Sequence, residues 1–120
     1  MQISNRKLNT ALETQIFSLF FQALADLQSP KEVETVLSDL LTSTELTALA
    51  KRLAIVTFLD KGRSYENIRD TLKVSSATIA SIAENMGNPG IQLALAKVKA
   101  EEWADKWAGK ITSLFKKPET

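Results

Sequence analysis

Between residues 65 and 84 the chain gathers short hydroxyl and methyl side chains: Ser75, Ser76, Ala77, Thr78, Ala80 and Ser81. Ahead of or among them lie Lys51, Arg52, Lys61, Arg63, Arg69 and Lys73, and the stretch 51–73 holds six basic and three acidic residues. Serine and threonine hydroxyls hydrogen-bond to base edges or phosphates, an alanine methyl meets a thymine methyl, and lysine and arginine neutralise phosphates. The chemistry on offer is recognition of a polyanion rather than bond-making. The chain has no histidine and no cysteine. That removes disulfides, thiolate nucleophiles, the usual zinc ligands and histidine-based acid–base work. No convergent catalytic set is visible, so neither an enzyme, a metal site nor a cofactor is expected.

These side chains recognise nothing unless two short helices hold them at a steep angle across a tight turn, as in a helix-turn-helix. That geometry dictates which positions are apolar. With Tyr65 as the first of twenty, Ile68, Leu72, Val74, Ile79 and Ile82 fill positions 4, 8, 10, 15 and 18, the five that must be buried. Ser64 is placed to cap the first helix, and Ser75 or Ser76 the second. The small residues 75, 76, 77, 80 and 81 then fall opposite Ile79 and Ile82, as a helix entering a major groove near its N-terminus allows. Two positions depart from the ideal. Position 9, often glycine for its left-handed backbone, is Lys73. Position 5, at the helix crossing, is Arg69 rather than a small residue. Glu84, on the outer side of the second helix, would repel a phosphate. An ordinary helical hairpin satisfies the apolar pattern too; the caps and the flanking cations favour DNA.

Helical signals recur along the rest of the chain. Leu12, Ile16, Leu19, Phe20, Ala23, Leu24 and Leu27 fall at spacings of three and four, an apolar helical stripe. Phe17 and Phe21 widen it beyond one face, so the helix needs cover on several sides, either as a central core helix or wrapped by a second subunit. Ser29-Pro30-Lys31-Glu32 stops it and opens a short helix to about Leu40. Thr42-Ser43-Thr44-Glu45 is a second capping box, opening a helix with a stripe of Leu46, Leu49, Ala50, Leu53, Val56 and Thr57, closed at Gly62. Gly87-Asn88-Pro89-Gly90 is the strongest break. Beyond it Ile91, Leu95, Val98, Trp103, Trp107, Ile111 and Leu114 indicate a long last helix, with Trp103 and Trp107 sharing a packing face. A polar tail ends the chain at 115–120.

The length of 120 residues suits a single domain, 1–120. Apolar residues make up 44%, charged residues 24% and the net charge is +1, so DNA binding has to come from a local patch. Residues 1–10 are polar, unlike a signal peptide, and no apolar run spans a bilayer, so a cytoplasmic protein is expected.

The run from Leu41 to Val56, Leu-Thr-Ser-Thr-Glu-Leu-Thr-Ala-Leu-Ala-Lys-Arg-Leu-Ala-Ile-Val, resembles the helix that leads into the DNA-binding motif of the Trp repressor family. Leu59, Lys61 and Gly62 complete that pattern. The run Val74-Ser75-Ser76-Ala77-Thr78-Ile79 is similar to the family's recognition helix, and the likeness is nearest to the YerC/YecD group, which lacks a defined co-repressor. The resemblance covers roughly residues 40–88. It implies an all-α, six-helix Trp repressor-like fold, an intertwined homodimer and binding to double-stranded operator DNA. The family's tryptophan site carries over poorly. Its first arginine matches Arg52 and its threonine Thr42, but the second arginine falls on Ser81 and the glycine on Ile82. No tryptophan response is therefore expected. The resemblance implies a transcriptional regulator. The alternatives are a replication-initiator-like DNA-binding module and a helical protein-interaction module without DNA binding.

Overall fold

The computed structural model describes residues 6–115, with side chains through Glu102. The backbone forms six helices and, among the described residues, no strand: α1 (Thr10–Ala25), α2 (Pro30–Leu40), α3 (Ser43–Asp60), α4 (Tyr65–Leu72), α5 (Ser76–Glu84) and α6 (Pro89–Phe115). None of these helices is long and apolar enough to cross a membrane among the described residues. The expected packing of Trp103 and Trp107 and the polar tail beyond Phe115 lie outside the described residues.

Contacts divide the chain into two compact units, one up to Ala48 and the other from Leu49 onward. In the first, the helix starts follow local hydrogen-bonding chemistry. The Asn9 carboxamide accepts from the amides of Ala11 and Leu12 and begins α1, a cap absent from the sequence reading. Ser29 accepts from the Glu32 amide at 3.2 Å, with Pro30 at the first helical position. The Glu32 carboxylate reaches back one residue further than a reciprocal box requires, to the Gln28 amide at 3.3 Å. At α3 the box closes on both sides: Thr42 N–H donates to Glu45 Oε1 at 2.8 Å and Glu45 N–H to Thr42 Oγ1 at 3.1 Å. Neither α1 nor α2 buries a residue. Leu12, Ile16, Phe17, Leu19, Phe20 and Phe21 of α1 are 41–64% exposed, so α1 is not a core helix within one chain.

The second unit holds the core. Ile55 and Val56 of α3, Ile68 of α4, Ile79 and Ile82 of α5 and Leu95 of α6 form one buried cluster, with Phe58, Leu59, Leu72, Val74, Met86 and Ile91 packed against it. The sequence stripe for α3 is rotated from the face used. Val56 belongs to both, but Ile55 is fully buried while Leu49 and Leu53 are 52% and 39% exposed. The reason is compositional: Leu46, Leu49, Leu53, Ile55, Val56, Phe58 and Leu59 surround most of the helix, so periodicity alone cannot select a face. Beyond Asp60, Gly62 takes φ +77, and its amide and that of Arg63 return to the carbonyls of Leu59 and Phe58. A Cβ at Gly62 would meet nothing within 4 Å, so glycine is needed there for backbone conformation rather than for space.

The α3 box carries a titration. The Thr42 backbone N–H, and after it the Thr42 hydroxyl, hold the Glu45 carboxyl below the ordinary 4.5. A carboxylate whose folded value is depressed contributes stability above its unfolded value and loses it as pH falls through the folded one. Glu45→Gln keeps an acceptor for the Thr42 amide but removes the titration. On acidifying below pH 4.5, melting temperatures followed by circular dichroism should fall more steeply for the wild type than for this variant. Parallel falls would show that the box contributes nothing to acid sensitivity.

Candidate nucleic-acid interface

The site is built on α4, the turn after it and α5. The Ser64 hydroxyl accepts from the Asn67 amide at 3.1 Å and caps α4. The approach to that cap is pinned, because the Arg63 guanidinium lies 4.0 Å from the centre of the Phe58 ring and donates to Asn67 Oδ1 at 3.4 Å. On α4 only Ile68 is fully buried; Leu72 is half-buried. The helix ends at Lys73, which takes φ 56, ψ 54 and is the one non-glycine residue with positive φ among the described residues. Its amide and that of Val74 both return to the Arg69 carbonyl, at 2.9 and 3.4 Å. The left-handed position expected at 73 is therefore present, occupied by lysine at a cost of about 1 kcal/mol against glycine.

Two residues on, Ser75 rather than Ser76 caps α5. Its hydroxyl accepts from the Thr78 amide at 3.1 Å and is hydrogen-bonded to the Thr78 hydroxyl at 2.8 Å, either of the two being able to donate. Both hydroxyls are thus engaged within the helix start. Ile79 is wholly buried and Ile82 8% exposed, as positions 15 and 18 require. On the other side Ser76, Ala77 and Ser81 are exposed, together with Glu84, while Ala80 is half-buried. The five apolar positions of the motif all turn inward. The outward face that remains is Ser76, Ala77 and Ser81, with Glu84 at its C-terminal end.

The cations are less available than their number suggests. Lys61 pairs with Glu102 at 3.1 Å and Arg69 Nε with Asp70 at 3.1 Å. Arg63 is stacked on Phe58. Lys51 Nζ donates to the carbonyl of Lys73 at 3.3 Å. Arg52 and Lys73 are exposed, and their side chains enter no ion pair among the described residues. Exposed pairs such as Lys61–Glu102 are weak and exchange readily for a phosphate, so they dilute the patch without abolishing it. Asp70 follows Arg69 directly and was legible as a neutralising neighbour. Glu102 lies 41 residues from Lys61 and gave no local signal.

Six helices among the described residues, two of which form a capped helix-turn-helix, define the class as an all-helical helix-turn-helix protein. The model of the family described as Trp repressor protein matches residues 15–99, more than half of the chain, and the chain belongs to that family, whose members are DNA-binding regulators rather than enzymes. A crystal structure of a TrpR-like protein from Eubacterium eligens is similar: TM-score 0.68, 26% identity, covering 76% of this chain and 96% of that one. Curated proteins give no match.

The family name implies a tryptophan ligand, and two positions on α5 bear on it. Ser81, where the resemblance wants an arginine, offers no charge for a carboxylate. Ile82, where it wants a glycine, is packed into the core cluster, so its side chain fills the space that a glycine would leave.

Proposed function

We propose that the chain is a sequence-specific DNA-binding transcriptional regulator, repressor-like, acting as a homodimer in the cytoplasm and indifferent to tryptophan. The observation that carries the reading is the motif itself. Two capped helices turn all five apolar positions inward, with Ile68, Ile79 and Ile82 buried and Leu72 and Val74 half-buried against them, and leave Ser76, Ala77 and Ser81 outward, with Lys73 beside them at the turn. In this reading Ser75, Ser76, Ala77, Thr78, Ala80 and Ser81 line the groove contact. Lys73 and Arg52 meet phosphates, and Arg69, Lys61 and Arg63 join them by exchanging their present partners. Within the family, the runs at 41–56 and 74–79 support a likeness to the YerC/YecD group. Glu84, exposed on α5, favours instead a helical interaction module that has lost DNA contact. One titration separates the two readings.

Phosphate contacts carry no base information, and each contributes about 0.9 to the slope of log affinity against log salt. Replacing Arg69 and Lys73 by alanine should weaken binding to all duplexes alike and flatten that slope, measured by fluorescence anisotropy across a salt series. Wild-type protein that binds no duplex at low salt would leave the interaction module standing.

Dimerisation rests on α1, which exposes Leu12, Ile16, Phe17, Leu19, Phe20 and Phe21 along one short helix. A second copy presents the same apolar surface, and association of the two faces removes both from water. Sedimentation at micromolar concentration should return twice the chain mass of 13.2 kDa. A monomer under those conditions rules the dimer out.

Adding L-tryptophan should leave the melting temperature and the DNA affinity unchanged. A ligand confined to the folded state and present at a hundred times its dissociation constant stabilises by about 2.7 kcal/mol, a shift visible in any melt. A rise of several degrees would mean that Ile82 yields to the indole and that Arg52 and Thr42 are ligand contacts.

A further inference from the structure

Lys51 counts among the basic residues of the motif region, yet its ammonium points into the protein's own backbone. It donates to the Lys73 carbonyl at 3.3 Å, across 22 residues of sequence. Three features make this contact consequential. First, Lys73 is the left-handed residue that ends α4, and its carbonyl belongs to no helical ladder, so it needs a donor from elsewhere or water. Second, the end of α4 carries the partial negative charge of its last carbonyls, which a cation offsets. Third, Lys51 lies one turn before Ile55 on α3, so its half-buried stem rises from the helix face whose Ile55 joins the buried cluster with Ile68 and Ile79. The turn of the motif is thus fastened to α3 twice, by apolar packing through Ile55 and by a charged hydrogen bond through Lys51.

We propose that Lys51 is a positioning residue of the motif: it clamps the turn through the Lys73 carbonyl and so sets where α5 begins and how its outward face is aimed. The proposal rests on the DNA-binding reading for its functional consequence. The Ser75 cap follows Lys73 by two residues, so a shift of the turn displaces Ser76, Ala77 and Ser81 together. It also divides labour between two lysines: Lys51 spends its donor inside the protein, and Lys73 keeps its side chain outward for a phosphate.

Salt dependence tells a clamp from a phosphate contact. The probes are a duplex enriched by the full wild-type chain from a random-sequence pool and a scrambled duplex of the same composition. Lys51→Met keeps the stem and removes the donor, whereas Lys51→Arg keeps a donor. The methionine variant should bind the enriched duplex about three- to fivefold more weakly, the worth of one exposed charged hydrogen bond. It should bind the scrambled duplex as before, with the salt slope of the wild type. The arginine variant should restore the preference. Equal losses on both duplexes with a slope reduced by about one would make Lys51 a phosphate contact and overturn the proposal. A readout without DNA stands beside it. In the uncomplexed protein, exchange of the Lys73 and Val74 amides should quicken severalfold in Lys51→Met and not in Lys51→Arg, and unchanged protection there overturns the clamp. A wild-type chain that enriches no duplex overturns the DNA reading alone, and the exchange rates still decide the clamp.

Discussion

A nine-residue helix such as α5 has no independent stability, because helix nucleation costs more than so few hydrogen bonds return. It exists because Ile79 and Ile82 are removed from water against Ile55, Val56, Ile68 and Leu95. Everything outward on α5 is therefore set by what is inward. Burial of isoleucine at 79 fixes the rotation of the helix about its axis, burial of Ile68 fixes α4 beside it, and Ile55 ties both to α3. Branched isoleucine side chains suit this task, since their stiff rotamers leave the packed helices little room to slide.

Local chemistry was legible in the sequence wherever a short-range hydrogen bond decides the structure. Ser29, Thr42 and Ser64 cap where a serine or threonine followed by a helical pattern says they should, and α2 runs to Leu40 as expected. The five apolar positions of the motif were legible because their spacing follows from the crossing of two helices. Choices between equals were not. Ser75 and Ser76 are both competent caps, and only the turn geometry picks Ser75. On α3 so many apolar residues surround the axis that the stripe missed Ile55 and claimed Leu49 and Leu53. Long-range polar contacts were invisible for a simpler reason: nothing in the local sequence of Lys61 announces Glu102, and nothing near Lys51 announces the carbonyl of Lys73.

The same distinction governs charge. The sequence counts cations, while the structure shows which are engaged. Lys61 with Glu102 and Lys99 with Asp60 join the end of α3 to α6, each pair at 3.1 Å. These pairs serve the scaffold, and the near-neutral balance of the whole chain is consistent with basic residues divided between holding helices together and facing outward.

Apart from Glu84 at its end, the outward face of α5 consists of two serines and an alanine, Ser76, Ala77 and Ser81. Alanine has no rotamers to lose and serine few, whereas an arginine or lysine gives up about 2 kcal/mol of side-chain freedom when it is immobilised. A partner that docks on this face restrains almost nothing that was moving, so even modest contacts are retained nearly in full. The three positions also lie outside the core cluster. Exchanges there leave Ile79 and Ile82 undisturbed, so the character of this face can change while the packing beneath it stays as it is.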